Sequence, residues 1–310
     1  MSERSNMTTC AEGRPKYGFS LVELLVAMAI GLLVALVVTK AYVDATATQR
    51  AQADSARLQE SARFGFLALA DALRKSGYQN QLAIGDRFCP MGSSSPPIPR
   101  LAGVNDATSV DPTTPSFTGG SEVAVLDSDV IRVRYYGDGL TLSPFTADGS
   151  VRDCLGNPVA SNALTEDTFF VAADSTNGNE PALFCYTSNS PASGNVALVP
   201  GVERMQLLYG DDSDSDGLIT DRFAPIGSIS APNNVRSVIV SLVVRSPNAV
   251  AAQQSTRVFN HFGDGGAANQ GYAPSNVAPT GDSGSVFTAP ADGRLRAQTS
   301  TTIALRNLCP

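Results

Sequence analysis

The sequence predicts an α+β protein, a long N-terminal helix followed by a head of mostly antiparallel strands. Two patterns and the composition carry that expectation. Residues 19 to 38 form an apolar run, and helical pattern continues beyond it without Pro or Gly until Gly65. After Gly77 the signal changes to short β segments between Gly-, Pro- and Ser-rich stretches. The 310 residues are 43% hydrophobic and 16% charged, with 27 Gly, 19 Pro and no Trp, a profile of a loop-rich β protein rather than a helical bundle.

The helix has two halves of different character. Phe19 to Val38 would reach about 30 Å, the thickness of a hydrocarbon core. Arg14 and Lys16 precede it, so the positive-inside bias keeps residues 1 to 18 cytoplasmic. Glu23 lies inside the run, where an ionised carboxylate costs several kcal/mol without a partner. A secretory signal peptide cut near "DATATQ" and a plain single-pass anchor both leave that acid unexplained.

Residues 39 to 76 read as the amphipathic half. Leu58, Ala62, Phe66, Leu69 and Leu73 recur at four- and three-residue steps, a stripe suited to packing on a sheet. Glu60 with Arg63 and Asp71 with Lys75 are helical pairs on the other side. Arg74 and Lys75 suit a last turn, and Gly77 suits a C-cap. From Phe19 to Ser76 the helix would extend about 87 Å, unless it breaks near "KAYVDATATQ".

Residues 77 to 310 form the predicted head. "SEVAVL", "DVIRVRYY", "DTFFVAAD", "ALFCYT", "NVALVP", "VERMQLLYG", "VRSVIVSLVVRS" and "TSTTIALRN" read as strands. In "VIRVRYY" Arg132 and Arg134 alternate with Ile131, Val133 and Tyr135, which predicts one apolar and one polar face. Residues 90 to 120 and 246 to 298 are expected to be long loops, the usual place for interaction surfaces.

Several chemistries are excluded or weakened. The net charge is −7 with no basic block beyond the N-terminus, so direct nucleic-acid binding is not expected. His261 is the one histidine and reads as a surface loop residue. "GDSGS" at 281 to 285 echoes a serine-protease nucleophile loop, yet His261 would be the sole base for Ser283 and no scaffold supports it. "GDGG" at 263 to 266 lacks the strand and helix of a phosphate loop. No catalytic residue is expected.

The cysteines Cys10, Cys89, Cys154, Cys185 and Cys309 include no C-x-x-C pair. If Cys10 is lost with a leader, four remain and allow three pairings. Cys154–Cys185 and Cys89–Cys309 are favoured. The first closes a short loop around "DTFFVAAD"; the second fastens the C-terminal tail to the segment after the helix. "DDSDSDGLITDRF" sets Asp212, Asp214 and Asp216 at alternate positions before Gly217, the opening of an EF-hand-like loop for Ca2+. Its closing Glu is missing, since Phe223 stands there, and Asp221 is the available substitute. The alternative is a solvated acidic turn.

"KYGFSLVE" resembles the signal of type IV pilins: a basic stretch, Gly, then a hydrophobic residue and a Glu fifth in the mature chain. "SARLQESARFGFLALADALRKSGY", "LVPGVERMQLLYG", "VRSVIVSLVVRS" and "TTIALRN" follow in the order of PilW-type minor pilins. The resemblance implies a type IV pilin-like fold and cleavage by a prepilin peptidase between Gly18 and Phe19, followed by N-methylation of Phe19. Glu23 would then pair with the cationic Phe19 terminus of a neighbouring subunit. It further implies a low-abundance subunit of the inner membrane, with its head in the periplasm and later in the pilus. Expected partners are other minor pilins, the major pilin and the inner-membrane assembly platform. A minor pseudopilin of a type II secretion system and a tip adhesin are the alternatives.

Overall fold

The computed structural model describes residues 18–80, 87–88, 97–119, 122–139, 146–212, 214, 222–229, 231–249, 256–262 and 282–307. The chain divides into two compact units, Met1–Ala51 and Gln52–Pro310. The helix α1, Leu21–Lys75, runs through both.

In the first unit α1 is bare. Its side chains from Leu21 to Val43 are exposed, and mean hydropathy reaches 2.9 over the most apolar 18 residues. By length and composition this helix is able to cross a membrane.

In the second unit α1 buries Leu58, Ala62, Gly65, Leu69, Ala70, Ala72 and Leu73. The predicted stripe is therefore the packed face, with Phe66 at its margin. Asp71 pairs with Lys75 at 2.8 Å, whereas Glu60 and Arg63 are exposed and form no ion pair with each other. The helix ends as its residues dictate. Gly77 takes the left-handed φ of +72°, and the Asn307 amide donates to the carbonyls of Arg74 and Ser76.

The strands are β1 Leu101–Val110, β2 Val123–Tyr136, β3 Leu164–Asp174, β4 Glu180–Thr187, β5 Val196–Pro200, β6 Val202–Asp211, β7 Arg222–Ala224, β8 Val235–Ala249, β9 Arg257–Asn260, β10 Val286–Ala289 and β11 Arg294–Ala304. They form a five-stranded sheet in the order β1-β2-β3-β4-β5, a four-stranded sheet β11-β8-β6-β7, and a two-stranded ribbon β10-β9. All pairings are antiparallel.

One core joins α1 to both large sheets through residues of a single parity. Ile131, Val133 and Tyr135 face it from β2, Phe169 and Val171 from β3, Met205, Leu207 and Tyr209 from β6, and Val238, Val240, Leu242 and Val244 from β8. The other parity is buried as well. Val130, Phe170 and Phe184 pack with Val110 and Phe117, while Val243 packs with Phe259 and Phe287 of the ribbon. Burial of both faces explains why "VIVSLVV" is apolar without alternation.

Three expectations need correcting. The span 90–120 contains β1, and 246–298 contains the end of β8, β9, β10 and the start of β11. Arg132 and Arg134 are buried: Arg132 stacks 4.3 Å from the Phe117 ring, bonds the Thr168 hydroxyl and the Pro112 carbonyl, and lies 3.6 Å from Glu166. The segment around Phe117 covers what would have been the polar face. Finally, His261 is buried rather than superficial.

Candidate assembly site and the polar sites of the head

Gly18, Phe19 and Ser20 precede the helix, and Phe19 is 84% exposed. A residue without a side chain, followed by an accessible apolar residue, leaves the Gly18–Phe19 peptide open to a protease. Glu23 sits in the first turn of α1, where the positive end of the helix dipole favours an acid. Its side chain is exposed, and among the described residues it has no ion-pair partner. The arrangement is a short, open N-terminal peptide and one carboxylate on an otherwise apolar surface.

In the head, Cys154 and Cys185 form a disulfide with Cα atoms 6.5 Å apart. Cys89 and Cys309, like Cys10, lie outside the described residues. Asp167 adjoins the disulfide, and the three side chains together have the spacing of a metal site. Bonded to each other, the two sulfurs offer no thiolate to a cation. Asp167 instead accepts the Tyr135 hydroxyl at 2.6 Å, and burial pushes its carboxyl up to about 6.

Of the acidic loop, Asp216 and Asp221 lie outside the described residues. Asp212 is fully buried, and its carboxylate is held by Arg236 at 2.6 Å; Asp214 is exposed. Asp212 thus belongs to the end of β6 and its charge is already balanced there. His261 places Nδ1 2.8 Å from the Ser241 hydroxyl on β8, while Nε2 has no hydrogen-bond partner. Burial holds its pKa down at about 4, so the ring is neutral at pH 7. Without a carboxylate to orient it, it lacks the arrangement of a catalytic base.

Sequence reasoning missed a polar seam between the sheets. The Ser128 hydroxyl and the Asp129 carboxylate of β2 accept the backbone N–H groups of Met205 and Leu207 on β6, at 3.3 and 2.7 Å. Asp129 also accepts the Asp106 N–H at 3.0 Å. The signal was present in "VLDSDVIRV", where Asp127, Ser128 and Asp129 interrupt an apolar strand.

Residues 13–39 match the family described as prokaryotic N-terminal methylation motif, and residues 168–307 match that described as Type IV Pilus-assembly protein W. The chain carries a prepilin-type N-terminal motif and a PilW-like region. The first match encloses Gly18, Phe19 and Glu23; the second runs from β3 to the end of the C-terminal strand. The chain is also similar in structure to the type IV-like pilin TTHA1219 from Thermus thermophilus. That likeness has a TM-score of 0.39 and 14% identity, over 82% of this chain and 98% of that one, too distant for residue-level comparison. No match was found among curated proteins.

Proposed function

We propose that this chain is a minor pilin, a structural subunit that helps prime assembly of a type IV pilus and sits in its tip complex. The observation that carries the reading is Glu23, a lone carboxylate on a bare apolar helix half, four residues beyond an open Gly18–Phe19 peptide. A prepilin peptidase removes residues 1 to 18 and Phe19 is N-methylated. The resulting cation satisfies Glu23 of an adjacent subunit as both leave water. Before assembly, residues 19 to 38 anchor the chain in the inner membrane and residues 77 to 310 fold in the periplasm. The Cys154–Cys185 disulfide supports that placement, since such bonds persist in oxidising compartments. The partners are the major pilin, other minor pilins and the inner-membrane assembly platform, and the role is structural rather than catalytic.

Mass spectrometry of the protein isolated from piliated cells tests the processing step. The expected N-terminus is a methylated Phe19, and a chain still beginning at Met1 would overturn the reading.

A further inference from the structure

Within the head, α1 is flanked by two grooves, and the one beside β11 differs from its counterpart in a way that specifies an occupant. Its volume is about 550 Å³. Phe66, Leu67 and Ala70 line it from α1, and Thr299, Thr301 and Ile303 from β11. Leu67 is 53% exposed, so the groove leaves an apolar side chain in water. Thr299, Thr301 and Ile303 stand opposite Leu242, Val240 and Val238 of β8, and therefore rise from the face of the sheet that packs on α1.

The strand forming the wall lacks the devices that usually blunt a sheet edge. Of the other outer strands of the two large sheets, β1 is irregular at two points, β5 has five residues and ends in Pro200, and β7 has three. β11 keeps an unbroken register with β8 from Arg296 to Ala304, and among the described residues no strand lies on its other side. Its Thr and Ile residues suit extended pairing. Charge then selects the partner. Arg63 and Arg74 line the groove, both are exposed, and neither has an ion pair among the described residues. No acid lines it among those residues: Asp71 is held by Lys75, and Glu60 belongs to the groove on the other flank. In that second groove Arg245 is already tied to Glu180, so both signs are present.

We infer that the groove between α1 and β11 receives an extended acidic segment of a partner protein, which joins the four-stranded sheet beside β11. The backbone of the segment pairs with the outer edge, and alternate side chains enter the groove over Leu67 and Ile303. Its carboxylates reach Arg63 and Arg74, which stand about 16 Å apart along the helix at 1.5 Å per residue. An extended chain covers that distance in about five residues, so two acids with apolar residues between them match the site. Symmetric pairing of two copies through β11 would bring two basic rims together, and like charges set against each other oppose it. The inference concerns the head alone and stands whether or not the chain is cut after Gly18.

The test places a photoreactive side chain at Thr301 of the full chain, expressed from its own locus, and maps the cross-linked peptide by mass spectrometry. The expected product joins Thr301 to a segment of a different protein that carries Asp or Glu beside apolar residues. Arg63→Glu combined with Arg74→Glu should lower the yield about tenfold, whereas Arg57→Glu, on the other flank of α1, should leave it unchanged. Both groove arginines are exposed, so the purified double variant should melt with the parent, which separates lost docking from lost folding. The inference is overturned if Thr301 captures nothing, only lipid, or only another copy of this chain. It is equally overturned if the captured segment holds no acid, or if the double charge reversal leaves the yield unchanged.

Discussion

Arg132 and His261 show how a residue's surroundings override its type. A guanidinium and an imidazole would ordinarily seek solvent, yet Arg132 is covered by the segment around Phe117 and His261, at the end of the ribbon strand β9, is pressed onto Ser241 of β8. For His261 the consequence is measurable. The unfolded ring takes a proton near pH 6.5, whereas the buried ring resists until about 4. Between those values the unfolded chain binds more protons, so stability present above 6.5 is lost as pH falls toward 4, by up to about 3 kcal/mol. Asp167 and Asp282, whose carboxyls are raised to about 6, act in the opposite direction over part of that range. The effect should therefore be read as a difference. In urea titrations from pH 7 to pH 4 the parent chain should lose stability relative to His261→Asn, and parallel curves would refute the assignment.

At the scale of elements, Gly77 and the disulfide carry the clearest expectations. Gly77 holds φ +72°, and a Cβ there would come 2.5 Å from Arg100 Cδ. Gly77→Ala should destabilise the head by about 1–2 kcal/mol from the backbone alone, with more from displacing Arg100. Arg100 is fully buried and donates to the carbonyls of Asn307, Asn233 and Val235, so the loss should appear as a lower urea midpoint with an unchanged slope. The Cys154–Cys185 bridge spans 31 positions, and the double Ser variant should lose about 2–4 kcal/mol. Reductant should lower the melting point of the parent toward that of the variant.

The same elements explain what the sequence revealed. The stripe from Leu58 to Leu73 and the alternation of Ile131, Val133 and Tyr135 in β2 are periodic, and periodicity survives without knowledge of the partner. β1 did not reveal itself because "LAGVNDATSV" holds few apolar residues and is broken at Asp106, which adopts φ +49° in the bulge. The ribbon strands Arg257–Asn260 and Val286–Ala289 have four residues each, too short for alternation to register. The amides of Asn105 and Gln206 meet the carboxylates of Asp282 and Asp106 across long stretches of chain, and no local pattern can announce such a meeting.

At the scale of the molecule, the proposed assembly rests on Glu23. Glu23→Ala should leave membrane insertion intact, because removing a charge favours the bilayer. It should reduce incorporation into pili, scored by immunoblotting of sheared filaments against the membrane fraction. Equal recovery of variant and parent in filaments would remove the pairing from the account. Leu73→Ala, at a side chain 0% exposed, should behave differently. Its expected loss is about 2–5 kcal/mol of head stability with the N-terminal segment untouched.

The outer strand of the four-stranded sheet bears on crowding. Among the described residues β11 pairs with β8 on one side only, and an edge strand invites strands from other copies. Here Arg294 and Arg296 are fastened inward to Glu180, Glu203 and Asp292, so the charges at the start of the strand are tied into the head itself. Along the remaining length, Ala297 to Ala304, the strand holds only uncharged side chains, so any protection against a neighbouring head has to come from elsewhere than charge.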